Sequence, residues 1–550
     1  MDRLATEQQS RPQRTAPDSP LSEAGNTGPE QLSRVMLRKR VFYTLVHGPE
    51  FARLLMAISP DATQPTGTAP LRTGWSSLLD LTSYQWFVFA VAAIAWMADC
   101  MDQQLFNLAR NMSITDLLGG PTADKDAVTT WSTRATSVFL VGWATGGLVF
   151  GMYGDRLGRV RTLTYTILLY SIFTGFSALS QSVWDYCLYR FLTGVGVGGV
   201  FAAAVSLIAE TMPGHARPFA LGLMQASSAI GNITAALLFI TLGLLELYGH
   251  LDPLKSVGLT AWRVLFLIGL FPAVLVIFIQ RRLSEPTSWL QAKAAADAGT
   301  GKRLGSYADL FGGGWITRHA ILGMLLAFVG VVGLWGIAFF SVDLQQMIFR
   351  ATFTREATEL FPLAEGATEE VKAAVEKDRS QYVAGQRVIW AGITSLAINI
   401  GAFVGMSGFS WMASRIGRKP AFAITHIAAA GSVALVFWGM QTRLDIIWMN
   451  TLMGLCMLAL FGGYAIYLPE LFPTRLRATG TSFCYNVGRF IAASGPIMLG
   501  VLTTSVFAFA KAEGESMPFR YSGLAMCSIF VLGLLVLPFL PETKDKPLPQ

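Results

Sequence analysis

Glu210-Thr-Met-Pro213-Gly-His-Ala-Arg217 and Glu470-Leu-Phe-Pro473-Thr-Arg-Leu-Arg477 decide the fold. Both read E-x-x-P-x-x-x-R, and their Glu, Pro and Arg positions each lie 260 residues apart. A second pair agrees. Arg156-Leu-Gly158-Arg159 recurs as Arg415-Ile-Gly417-Arg418, 259 residues on. Two independent motifs at nearly one offset imply a duplicated unit. Each motif sits where a long apolar run ends, so the unit is a set of apolar helices. Halves repeated in the same sense are related by an axis along the membrane normal, and solute sites in such chains lie between the halves near the bilayer midplane.

Working outward, spanning a bilayer takes about 20 apolar residues in a helix. Runs of that kind cover 84–109, 132–153, 162–180, 183–208, 218–246 and 259–280. After a polar stretch, 281–316, six more cover 317–347, 384–412, 420–440, 446–468, 478–506 and 520–540. The expected organisation is an extension over 1–80, a six-helix half over 81–283, a central loop over 284–316, a second half over 317–541 and a tail over 542–550. Composition agrees: of 550 residues, 52% are hydrophobic and 14% charged, where a soluble domain carries roughly 25% charged.

Charge sets the topology. Arg156, Arg159 and Arg161, then Arg217, then Arg281, Arg282, Lys302 and Arg303, then Arg415, Arg418 and Lys419, then Arg475 and Arg477 fall in alternate connections. The other connections are poor in Lys and Arg or balance them with acids. The positive-inside rule then puts both termini in the cytoplasm and requires an even number of spans, as in a multi-pass protein of the cell membrane. The net charge of +7 is explained by these connections, and nucleic acid is not an expected partner. No cleavable leader is visible. Residues 1–30 are polar and expected to be disordered. Residues 31–57 read as an interfacial helix or as a basic tail, and 349–383 as a charged outer helical insertion. The five cysteines form no CxxC pair, and the five histidines are scattered. No metal or other cofactor is expected. No nucleophile–base pair or phosphate-cradling loop points to an enzyme.

Gly151-Met-Tyr-Gly-Asp155-Arg156-Leu-Gly158-Arg159-Val-Arg161 resembles the loop between the second and third helices of the major facilitator superfamily. Arg190-Phe-Leu-Thr-Gly194-Val-Gly196-Val-Gly198 is similar to the fourth-helix pattern of its sugar porters. Ser284-Glu285-Pro286-Thr-Ser-Trp289-Leu290 and Pro541-Glu542-Thr543-Lys544 resemble the ends of the sixth and last helices. The resemblance covers about residues 80–545. It implies an all-α membrane protein with the major facilitator fold, twelve transmembrane helices in two pseudo-symmetric halves. It also implies a gate built on Asp155, Arg156 and Arg159, with Arg217, Arg415, Arg418 and Arg477 at related positions and Glu210 and Glu470 as acidic partners. Simple topology anchoring is the alternative role for these charges. Ser414 stands where the second-half loop would carry its Asp, so the second lock is expected to be looser.

Asp99 and Asp102 lie inside the first apolar run. Their i, i+3 spacing puts them on one helix face. Each costs roughly 2.5–3.5 kcal/mol near the bilayer centre. Two such groups suit proton uptake and release, or a structural ion pair with an intramembrane arginine. The D-x-x-D pattern also resembles the first helix of aromatic-acid/proton symporters, although Cys100 replaces the usual Gly. Arg190 and Arg489 are the intramembrane cations. Arg489 either binds a substrate carboxylate or neutralises one of the aspartates. Gln225, Asn232, Asn399, Asn486 and Tyr464 lie at plausible cavity depth, as substrate contacts or as interhelical hydrogen bonds. Trp335 is placed to stack on a ring or to pack against lipid. The expectation is a monomeric, proton-coupled carrier of a small organic solute, either an aromatic or other organic acid or a hexose-like sugar. A non-transporting solute sensor is the reading from another class.

Overall fold

A computed structural model describes residues 72–549 apart from 121–122, 248–249, 251–252, 254–257, 364–367 and 493–494. The expectations for 1–30 and 31–57 fall outside the described residues. No strand occurs among those described. The membrane helices are α1 (Ser83–Leu117), α2 (Lys125–Arg156), α3 (Arg159–Ser177), α4 (Val183–Thr211), α5 (Arg217–Leu247) and α6 (Ala261–Ile268 with Leu275–Arg282). The second half holds α7 (Gly314–Val332, continuing to Leu360), α8 (Glu369–Ile416), α9 (Arg418–Gly439), α10 (Arg443–Glu470), α11 (Arg477–Ala492 with Gly495–Val501) and α12 (Met517–Met526 with Ile529–Val536). Among the described residues, nine helices are individually long and apolar enough to cross a membrane. The short α3, the broken α6 and the two-part α11 complete the twelve. Pro272, which has no N–H to give, sits at the 3-10 turn that breaks α6.

The duplication extends to atomic detail. An added Cβ at Gly142 or Gly146 of α2 would strike the Phe191 or Val195 carbonyl of α4. At Gly401 and Gly405 of α8 it would strike Thr451 and Leu455 of α10 in the same way. Missing side chains thus let the second and fourth helices of each half touch backbone to backbone. Ser182 and Asp185 form a capping box that starts α4, and Thr442 and Asp445 form its counterpart at α10. Arg263 donates to the carbonyls of Ala178 and Ser180 just beyond α3. Arg520 does the same for Phe437, Trp438 and Met440 at the end of α9, at 2.7–2.9 Å.

Hydrogen bonds to a charged group contribute about 1.5–3 kcal/mol each. Replacing Arg520 by Ala strands the last carbonyls of α9. We expect a loss of at least about 2 kcal/mol, read as a lower Tm in detergent, with Arg520→Lys in between.

Of the two polar regions, the outer insertion is helical as expected, and the central stretch holds helices beyond the expected loop. The 349–383 insertion is helical: α7 runs on to Leu360 and α8 begins at Glu369. Arg443 joins this projection to α10 through Glu356 at 2.5 Å. The 281–316 stretch also contains helices, Thr287–Asp297 and Tyr307–Leu310.

Candidate functional site

Between the halves lies a cavity of about 1020 Å³, its open mouth included. Arg489, Gln225, Asn232, Asn399 and Trp335 line it, as do Gln103, Gln104 and Asn107 of α1. Asn232 donates to Asn399 across the halves at 3.0 Å. At Gly333–Ile337, α7 widens into a π turn, which carries Leu334 and Trp335 into the wall.

Arg489 is the one charged side chain among the lining residues. Its guanidinium carbon lies 3.9 Å from the Trp143 ring centre and 4.3 Å from that of Tyr485. Nη1 donates to Asn486 Oδ1 at 2.7 Å, and Nε is buried without a partner. Tyr485 stacks on Phe201 at 3.9 Å, and Phe201 meets Trp96. The cation is thus held by aromatic faces and one amide, with hydrogen-bonding capacity unspent.

Asp99 and Asp102 are fully buried beside this cavity but do not line it. Asp99 accepts from Gln103 at 2.9 Å, so its contact with the cavity runs through that lining side chain. Asp102 accepts from Thr174 at 2.6 Å. Asp99 Oδ1 and Asp102 Oδ2 have no partner, and neither carboxylate is ion-paired with Arg190 or Arg489. Arg190 lies outside the cavity wall. Ser177 holds its Nε and Nη2, Phe106 and Phe266 flank it, and Nη1 is unpartnered. Asn486 acts through Arg489. Tyr464 points away from the cavity, donating to the Leu326 carbonyl at 2.9 Å.

The basic end of the bundle is closed. Asp155 at the foot of α2 accepts from Ala478 N at 3.1 Å and from Thr479 N and Oγ1 at 2.8 and 2.6 Å. It therefore caps α11 across the halves, meeting N–H groups that a helix start leaves unpaired. Arg159 pairs with Asp155 at 3.1 Å and with Glu210 at 2.7 Å, and Arg477 of the other half reaches Glu210 at 2.7 Å. Arg156 donates to the Gly305 carbonyl at 3.1 Å.

The second half copies only part of this. Arg418 pairs with Glu470 at 2.9 Å. Ser414, however, bonds to Trp411 of its own helix, Arg217 donates to Met212 and Arg415 rests on Trp411. Pro218, at the position matching Ala478, has no N–H to offer. The missing Asp and the missing donor coincide.

The motifs after the sixth helix of each half carry one glutamate apiece, to which the sequence reading gave no role. Glu285 accepts from the backbone of Arg159, Val160 and Arg161, and Glu542 from Arg418 and Lys419. Gly158 and Gly417 leave room for them at φ +115° and +99°; a Cβ on Gly158 would lie 2.1 Å from Glu285 Oε1. Burial pushes the Glu285 carboxyl up despite its three backbone donors. Burial also acts on Glu542, but the donors win and hold it below the usual range. Arg475, paired with Asp309 at 2.6 Å, ties the central loop to the second half.

Two repeated six-helix halves around a polar cavity, closed at one end by charged pairs, define a membrane transporter. The family described as Sugar (and other) transporter matches residues 77–305. A putative metabolite transport protein of Haemophilus influenzae is 28% identical over 85% of this chain and 99% of its own length. The cis,cis-muconate transport protein of Acinetobacter baylyi is 27% identical over 77% of this chain and 89% of its own. Among solved structures, the proton:xylose symporter XylE matches the fold with a TM-score of 0.56, over 85% of this chain and 98% of its own, at 20% identity. Over most of its length the chain is similar to sugar-porter-like, multi-pass transporters of the major facilitator superfamily, and those relatives are transporters rather than enzymes.

Proposed function

We propose that the chain is a proton-coupled secondary active transporter that moves a small organic carboxylate by alternating access, as a monomer of the cell membrane. One observation carries the substrate reading: the single charge in the cavity wall is a buried arginine whose Nε has no partner. A planar guanidinium fork matches a carboxylate. By the positive-inside rule the closed basic end and both termini are cytoplasmic. Asp99 and Asp102 are the proton sites.

A neutral sugar is the second reading. The side-chain amides of Gln103, Gln104, Asn107 and Gln225 in the wall favour it, because they suit hydroxyl groups.

Uptake of labelled aromatic acids, dicarboxylates and hexoses into proteoliposomes, with and without a pH gradient, separates these. Acid uptake driven by the gradient is expected. Gradient-independent uptake of every accepted solute would refute proton coupling, and hexose uptake alone would refute the carboxylate reading. Arg489→Gln removes a charge-assisted fork of about 1.5–3 kcal/mol. Acid affinity is expected to fall at least about tenfold, measured by competition binding.

A further inference from the structure

We infer that Arg489 and its two aromatic neighbours form a slot that accepts one planar carboxylate and rejects tetrahedral oxyanions and second carboxylates. The inference rests on the proposed carboxylate reading and narrows it. Trp143 covers one side of the guanidinium at 3.9 Å and Tyr485 contacts it at 4.3 Å. Neither ring can retreat freely. Trp143 is 3% exposed and meets Phe139 and Trp335, while Tyr485 is 2% exposed and stacks on Phe201. Hydrogen bonds from a stacked guanidinium run in its own plane. Asn486 already occupies Nη1, which leaves the Nε edge.

A carboxylate can lie in that plane with both oxygens on the edge. A sulfonate that places two oxygens there sends its third out of plane, toward a ring face rather than a donor. Desolvating an anionic oxygen against an apolar face is costly. The number of charges follows from the wall. Arg489 is its one cation, and the carboxyl of Asp99 stands behind Gln103. A second carboxylate on the solute would meet neutral amides and no second cation. The far end of the solute is therefore neutral.

The test uses the full-length purified protein and binding read from tryptophan fluorescence or calorimetry. The probes are benzoate, benzenesulfonate, terephthalate and glucose. Benzoate is expected to bind at least tenfold more tightly than benzenesulfonate or terephthalate. Trp143→Ala opens one face and is expected to shrink the benzoate–benzenesulfonate gap to within threefold. Tyr485→Leu removes the second ring contact and serves if the first variant does not fold. Equal binding of benzoate and benzenesulfonate, both lost in Arg489→Gln, would overturn the slot while leaving an anion site at Arg489. Terephthalate matching benzoate would overturn the single-charge claim. Glucose binding without any aromatic anion, or no binding by any probe, would overturn both the slot and the carboxylate reading.

Discussion

Asp102→Asn is expected to abolish solute accumulation against a gradient while leaving solute exchange across the membrane intact. One pH unit is worth about 1.36 kcal/mol per proton, which supports roughly tenfold accumulation for one proton per electroneutral cycle. With the proton site removed, that ratio falls to about one, yet counterflow of labelled for unlabelled solute continues. The geometry supplies the reason. Asp102 is fully buried, its Oδ1 is satisfied by Thr174, and its Oδ2 has no partner. A buried charge with an uncompensated oxygen costs several kcal/mol. A proton placed there removes both the charge and the bare lone pair. Asp99 is built likewise, with Gln103 on one oxygen and nothing on the other. Because Gln103 also lines the cavity, Asp99→Asn is expected to lower solute affinity as well as coupling, and Asp102→Asn coupling alone. Asn matches Asp in shape, so folding is not at stake. Proteoliposome uptake at a pH difference of one unit, paired with counterflow at equal pH, reads both effects. Undiminished accumulation in Asp102→Asn would remove that residue from the coupling path.

How much of this was legible depended on what a linear sequence encodes. The repeat was legible because charged motifs at helix ends are sparse, and the pairing of Glu210 and Glu470 with Arg159 and Arg418 follows its offset. A third copy went unread. Ser182-x-x-Asp185 and Thr442-x-x-Asp445 lie 260 residues apart and carry a recognisable capping pattern. Tyr464 and Arg190 were legible as polar residues inside apolar runs, but their facing was not. Hydropathy places a residue along the bilayer normal, whereas the side of the helix it occupies is set by its neighbours. Tyr464 therefore faces α7, and Arg190 faces Ser177 and two phenylalanines. Trp143 was invisible for a related reason: an indole in an apolar run reads the same whether it meets lipid or clamps a cation. Arg489 and Asn486 were legible as polar residues, and their i, i+3 spacing gives the contact between them.

Asp155→Ala is expected to open the basic end of the transporter, whereas Ser414→Ala is expected to do almost nothing. Asp155 holds three donors of α11 together with Arg159, and every donor on α11 belongs to the opposite half. Separating the halves at this end must break those three bonds at once. Removing the carboxylate leaves two buried N–H groups without their acceptor, which weakens the closed state by about 2–3 kcal/mol. That shifts the ratio of open to closed molecules by roughly 30- to 160-fold. The Ser414 hydroxyl bonds only to Trp411, four-residue-turn neighbours in one helix, so its loss stays within about 0.5 kcal/mol. The half with the complete lock thus carries the closure, and Arg477 adds to it through Glu210. Spin labels at Leu157, just past α2, and Ile416, at the end of α8, both exposed and on opposite halves, report the separation by pulsed dipolar spectroscopy. A longer distance population should appear in Asp155→Ala and be absent from Ser414→Ala. Equal distributions in the two variants would mean that closure at this end does not depend on the carboxylate. Asp155→Asn refines the reading. It keeps one acceptor oxygen and loses the charge, so an intermediate population is expected if the cap on α11, rather than the ion pair with Arg159 alone, holds the halves together.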